Sequence, residues 1–449
     1  LRNNLLGEIM NRRLRFLLVA ISPVAILALA ALYVVQAGVA AQAVFDARVA
    51  ALKAAGEPTS IKDLARKPPL PHENAATYLR RASEAMESID KEYTAAYENM
   101  SPEQQEAADL DQPPAVFVAS LRETLNAYPE AMNLIDEAVA APYYDSQLDY
   151  SADPAAFWDE LEKQSYRVNR RAMRMLNYRA SIQLADGDAE GALKTTLKML
   201  KLCRHFDNDP TLLGGLVAIA CRGVALNTAD LALRAGPIPE PLRQELDEEL
   251  ARSDIPRIYR DSLLSDRAFG LDALRALQAK QLSLSPNEER WFLKLAAAFA
   301  QNREMYFDYM AEAISLAGRP YADLEADAKL NELVAEVDPT AKVVMPSIRG
   351  AQAAACRCIV YIRSVQILNA IQRYERDHPG KEPTLADLKL PPEVTTDPFN
   401  NQPLHVVKLP QGWSIYSVDM DLKDDGGRES PPDSGLLINR ITAEAEAAQ

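Results

Sequence analysis

The chain has 449 residues, a formal charge of −15 and only 17 glycines, in a composition dominated by Ala, Leu and Glu. That length allows two to three domains with a sizeable core, and the composition favours a mainly α-helical body. The acidity, with no concentrated basic patch beyond the first residues, excludes nucleic acid and anionic lipid headgroups as partners of the main body, and four cysteines exclude a disulfide framework.

Phe16 to Gly38 is an uncharged run of 23 residues. As a helix it measures roughly 34 Å, enough to cross a hydrocarbon core of roughly 30 Å. Arg2, Arg12, Arg13 and Arg15 precede it against the single acid Glu8, so the amino terminus is expected in the cytoplasm and the bulk of the chain on the periplasmic or extracytoplasmic side of the inner membrane. Ala41-Gln42-Ala43 has the form of a signal-peptidase site, but the run is longer than a usual h-region, which favours a retained anchor. The chain opens on Leu1, and Met10 is an alternative start.

Beyond the anchor, Val44 to Ala55 reads as an amphipathic helix, and Thr59 and Ser60 as N-cap candidates for a short helix. Lys67-Pro68-Pro69-Leu70-Pro71 is expected to be extended, a stiff spacer, because each proline disfavours helix at the residue before it. Glu73 to Leu79 opens the next helix. The combination of Gly56-Glu57-Pro58-Thr59, the proline strap and Glu73-Asn74-Ala75-Ala76 resembles a segment found in planctomycete-type membrane-anchored helical proteins, a group that brings no activity with it.

From Pro114 to about Val337 the apolar period is helical, with turns at Asp153-Pro154, Asp186 to Asp188, Asp207 to Pro210, Gly236 to Pro239 and Gly318 to Pro320. Arg171 to Phe206 reads as a helical hairpin: Met175, Tyr178, Ile182 and Ala185 face Ala189, Ala192, Leu193, Leu197 and Leu200. This hairpin resembles a tetratricopeptide unit, yet no 34-residue period continues around it, so an irregular array that is TPR-like in one place is expected. Two longer helices follow, Arg257 to Leu277 and Glu289 to Leu316, the second with an aromatic and methionine band that reads as core.

Ala351 to Asp377 is a long helix stopped by His378-Pro379-Gly380. A one- or two-turn helix capped by Thr384, a turn at Asp397 to Pro403, and strands at Leu404 to Leu409 and Trp413 to Val418 are expected after it, an α+β module with a β-hairpin. The expected divisions are thus 1–46, the cytoplasmic stub and anchor; 47–112, the spacer and first helices; 113–338, the helical array; 340–441, the module; and 442–449, a tail.

The order of this helix, Pro383-Thr384-Leu385, Asp397-Pro398-Phe399 with Asn401 and Pro403, Tyr416-Ser417-Val418 and Asp421 before Gly426-Gly427 resembles the carboxyl-terminal half of type II secretion major pseudopilins. In that family the loop after the last strand binds calcium, and the resemblance implies ligands at Asp421 and Asp433. From the residues themselves, Asp419, Asp424 and Asp425 join them as carboxylates in a glycine-containing loop, of the kind that supplies calcium's six to eight oxygens. A solvated acidic turn is the competing reading.

Cys356 and Cys358, two apart on a helix, point away from each other and read as buried hydrophobes. Nothing beside Cys203 and His205 completes a metal site. No nucleophile elbow, P-loop, dinucleotide fingerprint or zinc-protease motif occurs, and acids such as Asp159 and Glu160 read as solvated helix faces. The functional expectation is an envelope-side helical scaffold that binds another protein; a subunit of a secretion or pilus-like assembly and a hydrolase with a hidden cleft are the alternatives.

Overall fold

A computed structural model describes residues 40, 42–109, 113–278, 303–336, 348–427 and 434–436. The expected membrane run, part of the aromatic band (Trp291, Phe292 and Phe299) and Asp433 lie outside these residues. The chain divides into two units, Leu1–Thr59 and Ser60–Gln449. In the first, residues 42–54 form a helix (α1) that ends in a turn at Gly56, whose φ of 75° suits a residue without a Cβ.

The second unit is mainly helical. Its first half holds α2 (Ala75–Glu98), α3 (Pro102–Asp109), α4 (Ala115–Ala127), α5 (Pro129–Ala140), α6 (Pro154–Leu161), α7 (Arg167–Ala185) and α8 (Ala189–Phe206). There follow α9 (Thr211–Ala235), α10 (Glu240–Ala251), α11 (Ile255–Gln278), α12 (Arg303–Leu316), α13 (Tyr321–Ala326), α14 (Ala328–Glu336), α15 (Ile348–Asp377) and the short α16 (Pro392–Thr395). The turns expected from sequence separate these helices, and side chains fix several starts. Asp153 accepts from the amides of Ala155 and Ala156 with Pro154 at the first helical position, and Asp188 accepts from Gly191 N.

The helix α9 is central, packing against α7, α8, α11 and α15. Both α9 and α15 are long and apolar enough to cross a membrane, yet most of each apolar stretch is buried inside the protein, as core helices are. Each fully buried aliphatic side chain there, such as Leu226, Val365 or Ile371, contributes roughly 1.5–3 kcal/mol. A cation sits in this core: Arg222 is fully buried and reaches Asp207 Oδ2 at 2.8 Å. All four cysteines are buried and free.

Two expectations change in detail. In the α7–α8 hairpin Met175 and Tyr178 are buried with the α8 residues, but Ile182 is half-buried and Ala185 exposed, because they lie at the solvent-facing end beside the Asp186–Asp188 turn; Ala172, Met173 and Leu176 fill the interior instead. The segment after Pro383 is a run of turns over 385–389, although the expected capping contact is present, with Asp387 Oδ2 accepting from Thr384 N at 2.8 Å and Thr384 Oγ at 2.6 Å. Lys389 closes that run with a φ of 52°.

Strands β1 (His405–Leu409) and β2 (Gly412–Ser417) form the expected hairpin, with Leu409 opposite Gly412. A third strand, β3 (Ser434–Leu436), completes the antiparallel order β1-β2-β3 and packs with β2 on α15. Because α15 also packs on α9, α10 and α11, the helix of the carboxyl-terminal module is at the same time a core helix of the body.

Candidate functional site

The proline strap is extended over Lys67 to Leu70, as its sequence dictates, and enters a 3₁₀ turn at Pro71. It lies along the helical body. At its start, Ser60 Oγ and Ile61 N both donate to Asp272 Oδ2 on α11 at 2.7 Å, and Arg66 donates to Asn208 Oδ1 at 2.9 Å. At its end, Asn74 caps α2 through Ala76 N and also holds Asp145 N and O, while Ala75 N and Tyr143 N exchange bonds with Tyr143 O and Glu73 O. These bonds pin the 141–150 loop to the strap as a short parallel bridge.

Between the strap, this loop and the last turns of α8 runs a groove of about 860 Å³. Leu70 and Tyr143 present apolar surface to it, 58% and 56% exposed. Arg66, Lys67, Lys201 and Arg204 give it cations, beside the carboxylates of Glu73 and Asp145. Lys201 and Arg204 are matched by Glu245 at 3.1 Å and Glu249 at 2.6 Å, whereas Arg66 and Lys67 make no ion pair among the described residues. Two adjacent uncompensated cations on so acidic a chain are the groove's electrostatic signature.

Tyr144 lines the groove and carries its hydroxyl inward to a polar nest. There Asp209 Oδ2 accepts from Asn169 Nδ2 at 2.7 Å, from Ser165 Oγ and from Tyr144 OH at 3.4 Å, while Oδ1 is buried without a hydrogen bond. Asp209 is 6% exposed and makes no ion pair among the described residues; burial pushes its carboxyl up to about 7. Tyr144 is raised well above the usual phenol range, first by loss of water and then by the Asp209 charge. His205, stacked on Tyr144 with ring centroids 6.2 Å apart, is lowered to about 4 by burial and then by Arg204, so it is neutral at physiological pH.

The backbone around the nest is irregular. Glu162–Tyr166 is a π-helical turn that joins α6 to α7 and swings Ser165 and Tyr166 inward. Thr211 follows Pro210 with a φ of 75°, a left-handed conformation costly for a β-branched residue. It is held by Tyr166 OH, 2.6 Å from Thr211 Oγ, which in turn accepts from Gly214 N at 3.3 Å. On the next amide, Leu212 N donates to Asp266 Oδ1 at 3.3 Å, and Asp266 is likewise raised, to about 6, by the protein around it. π-turns and strained residues gather at functional positions.

The carboxylates expected to bind calcium are placed differently. Asp419 is fully buried and both its oxygens are taken by Arg357, at 2.8 Å from Nε and Nη2. Asp421 Oδ1 accepts from Lys423 N, and Asp424 Oδ1 from Tyr416 OH and Gly426 N, with His405 Nδ1 3.4 Å from the other oxygen. Asp425 is half-buried in the same loop, and Asp433 lies outside the described residues. Among the described residues no three His, Cys, Asp or Glu groups converge on a point that could hold a metal ion. Asp419 is thus committed to a guanidinium. Asp159 and Glu160 sit on a solvated face, Asp159 paired with Lys163.

Sequence reading treats Asp207 to Pro210 as a turn and passes over Tyr144, Ser165, Asn169 and Asp209. The available signal is Ser165 and Asn169, four residues apart on the buried side of the π-turn and the amphipathic α7, where polar groups need partners. Comparison with protein families, curated proteins and solved structures returns no match for this chain.

Proposed function

We propose that this protein is a membrane-anchored, envelope-side helical scaffold, TPR-like at α7–α8, and that it binds an extended, acidic and aromatic-bearing segment of another protein in the strap groove. Phe16 to Gly38 is the anchor in this reading, with the amino terminus cytoplasmic. The observation that carries the binding site is the pairing of exposed Leu70 and Tyr143 with the uncompensated Arg66 and Lys67 in one groove of about 860 Å³. Aromatic and aliphatic surface supplies contact area, and cations without local partners supply selection for carboxylates. A hydrolase reading is not favoured, because Asp209 stands behind Tyr144 among neutral donors rather than in the groove. The assembly-subunit alternative keeps only the module resemblance, and here α15 is committed to the body's core.

The test is fluorescence anisotropy of labelled decapeptides in three sets, acidic-aromatic, neutral and basic, against the full chain in detergent. Saturable binding of the first set alone supports the reading. Equal binding of all three, or of none, refutes it. Fractionation tests the anchor: the full chain is expected in the membrane, and a chain lacking residues 16–38 in the soluble fraction.

A further inference from the structure

A second cavity, of about 360 Å³, lies between α2, the end of α3, the start of α4, α7 and α9, and shares no lining residue with the strap groove. One wall is aromatic. The rings of Tyr93 and Tyr178 stack with centroids 4.4 Å apart, and Phe117 meets Tyr93 edge-on at 5.2 Å. Asn177 and Ser181, four residues apart on one face of α7, add an amide and a hydroxyl to the lining. Thr228 Oγ lies 3.1 Å from Asn177 Oδ1 and holds that end of the amide, while Asn177 Nδ2 and Ser181 Oγ make no hydrogen bond with a described residue. None of the described residues that line the cavity is charged, although 25% of the chain is.

An ion entering this cavity would give up its hydration and meet no counter-charge in the lining, so the lining selects a neutral occupant. The aromatic wall favours a ring, which gains stacked or edge-on contact beyond the apolar area that it buries. The amide and hydroxyl favour a group that both accepts and donates, because a polar ligand atom that loses water needs such bonds in exchange. A carboxamide does both. We propose that this cavity binds a small neutral aromatic amide, its ring against the Tyr93–Phe117–Tyr178 cluster, its carbonyl on Asn177 Nδ2 and its N–H on Ser181 Oγ. The volume is at the lower end of the range of small-molecule sites, which suits one ring and one amide group.

The test uses the full chain in detergent and three probes, benzamide, cyclohexanecarboxamide and benzoate. Isothermal calorimetry is expected to give saturable binding of benzamide, weaker binding of cyclohexanecarboxamide for want of an aromatic ring, and none of benzoate, whose charge the lining does not meet. At ten times its Kd, benzamide is expected to raise the Tm by about 2 °C. Two variants place the ligand. Asn177→Leu is expected to weaken benzamide about fivefold, the loss of one hydrogen bond, while Thr228 Oγ keeps its bond to Val224 O at 2.9 Å. Ala108→Trp, at a small and half-buried position in the lining, is expected to fill the cavity and abolish binding while the chain keeps a cooperative thermal transition. Equal binding of benzamide and benzoate, or no binding of benzamide, overturns the proposal. So does an affinity unchanged in either variant, or binding confined to a Leu110→Ala chain, which would make the chain's own residue 110 the occupant.

Discussion

Asp209 in the helical body and Asp419 beside the hairpin are both buried aspartates, and they differ in what meets the charge. Arg357 holds Asp419 with two bonds of 2.8 Å, so that carboxylate is a structural clamp between α15 and the sheet. Among the described residues Asp209 is met by neutral groups, the hydroxyls of Ser165 and Ser146, the Tyr144 phenol and the Asn169 amide. A charge paired in the interior fixes structure, whereas a charge solvated only by neutral dipoles stays ready to take a proton. The acidic loop that attracts notice in the sequence therefore carries the settled aspartate, and an unremarkable turn carries the poised one.

The largest effect expected from this difference is on pH dependence. In the fold Asp209 is raised to about 7 from an ordinary value of 3.8, so the native state keeps its proton over a range in which the unfolded chain has lost it. Taken by itself, Asp209 lowers stability as pH rises from about 4 to about 7, by on the order of 4 kcal/mol, while His205, lowered to about 4, acts in the opposite sense between about pH 4 and 6.5. Asp209→Asn is expected to remove the Asp209 contribution, so that in urea unfolding its stability relative to the native chain rises from pH 4 to pH 7 and it is the more stable of the two at pH 8. A slope unchanged by Asp209→Asn would make the two aspartates alike.

Next in size, Arg357→Ala leaves Asp419 buried and alone. Breaking a buried pair costs about 3–5 kcal/mol, and because the Arg357 side chain is 40% exposed the loss is expected near the lower end. Urea unfolding at pH 7 measures it, and a loss below about 1 kcal/mol would class the pair with surface salt bridges. Smaller again, the double variant Arg66→Glu, Lys67→Glu is expected to weaken acidic-peptide binding about five- to tenfold, an effect that shrinks with added salt. Smallest, millimolar calcium is expected to leave the Tm and the fluorescence of Trp413 unchanged. A saturable shift would place calcium on the acidic loop.

Much of the fold is legible in the sequence because its cues are local. Asp153-Pro154, Asp188 and His378-Pro379-Gly380 start or stop helices with their own side chains and dihedrals, and the two strands around Pro410-Gln411 pair with each other. What depends on distant partners is not. β3 is three residues long and owes its place to β2, and α15 becomes a core helix only because α9 offers a matching face. The site belongs to the second kind: Asn74 meets Asp145 across 71 positions and Asn169 meets Asp209 across 40, separations that no pattern of neighbouring residues encodes. The strap is extended as its prolines require, but whether an extended segment stands off or lies against a body is decided by the contacts of Arg66 and Asn74.

The claim that binding belongs to the strap groove is tested most directly by hydrogen–deuterium exchange of the full chain with and without a saturating acidic-aromatic decapeptide. Slowed exchange is expected at residues 66–73 and 139–146, with no change at 419–427. Protection confined to 419–427, or none at the groove while the peptide is bound, would contradict it.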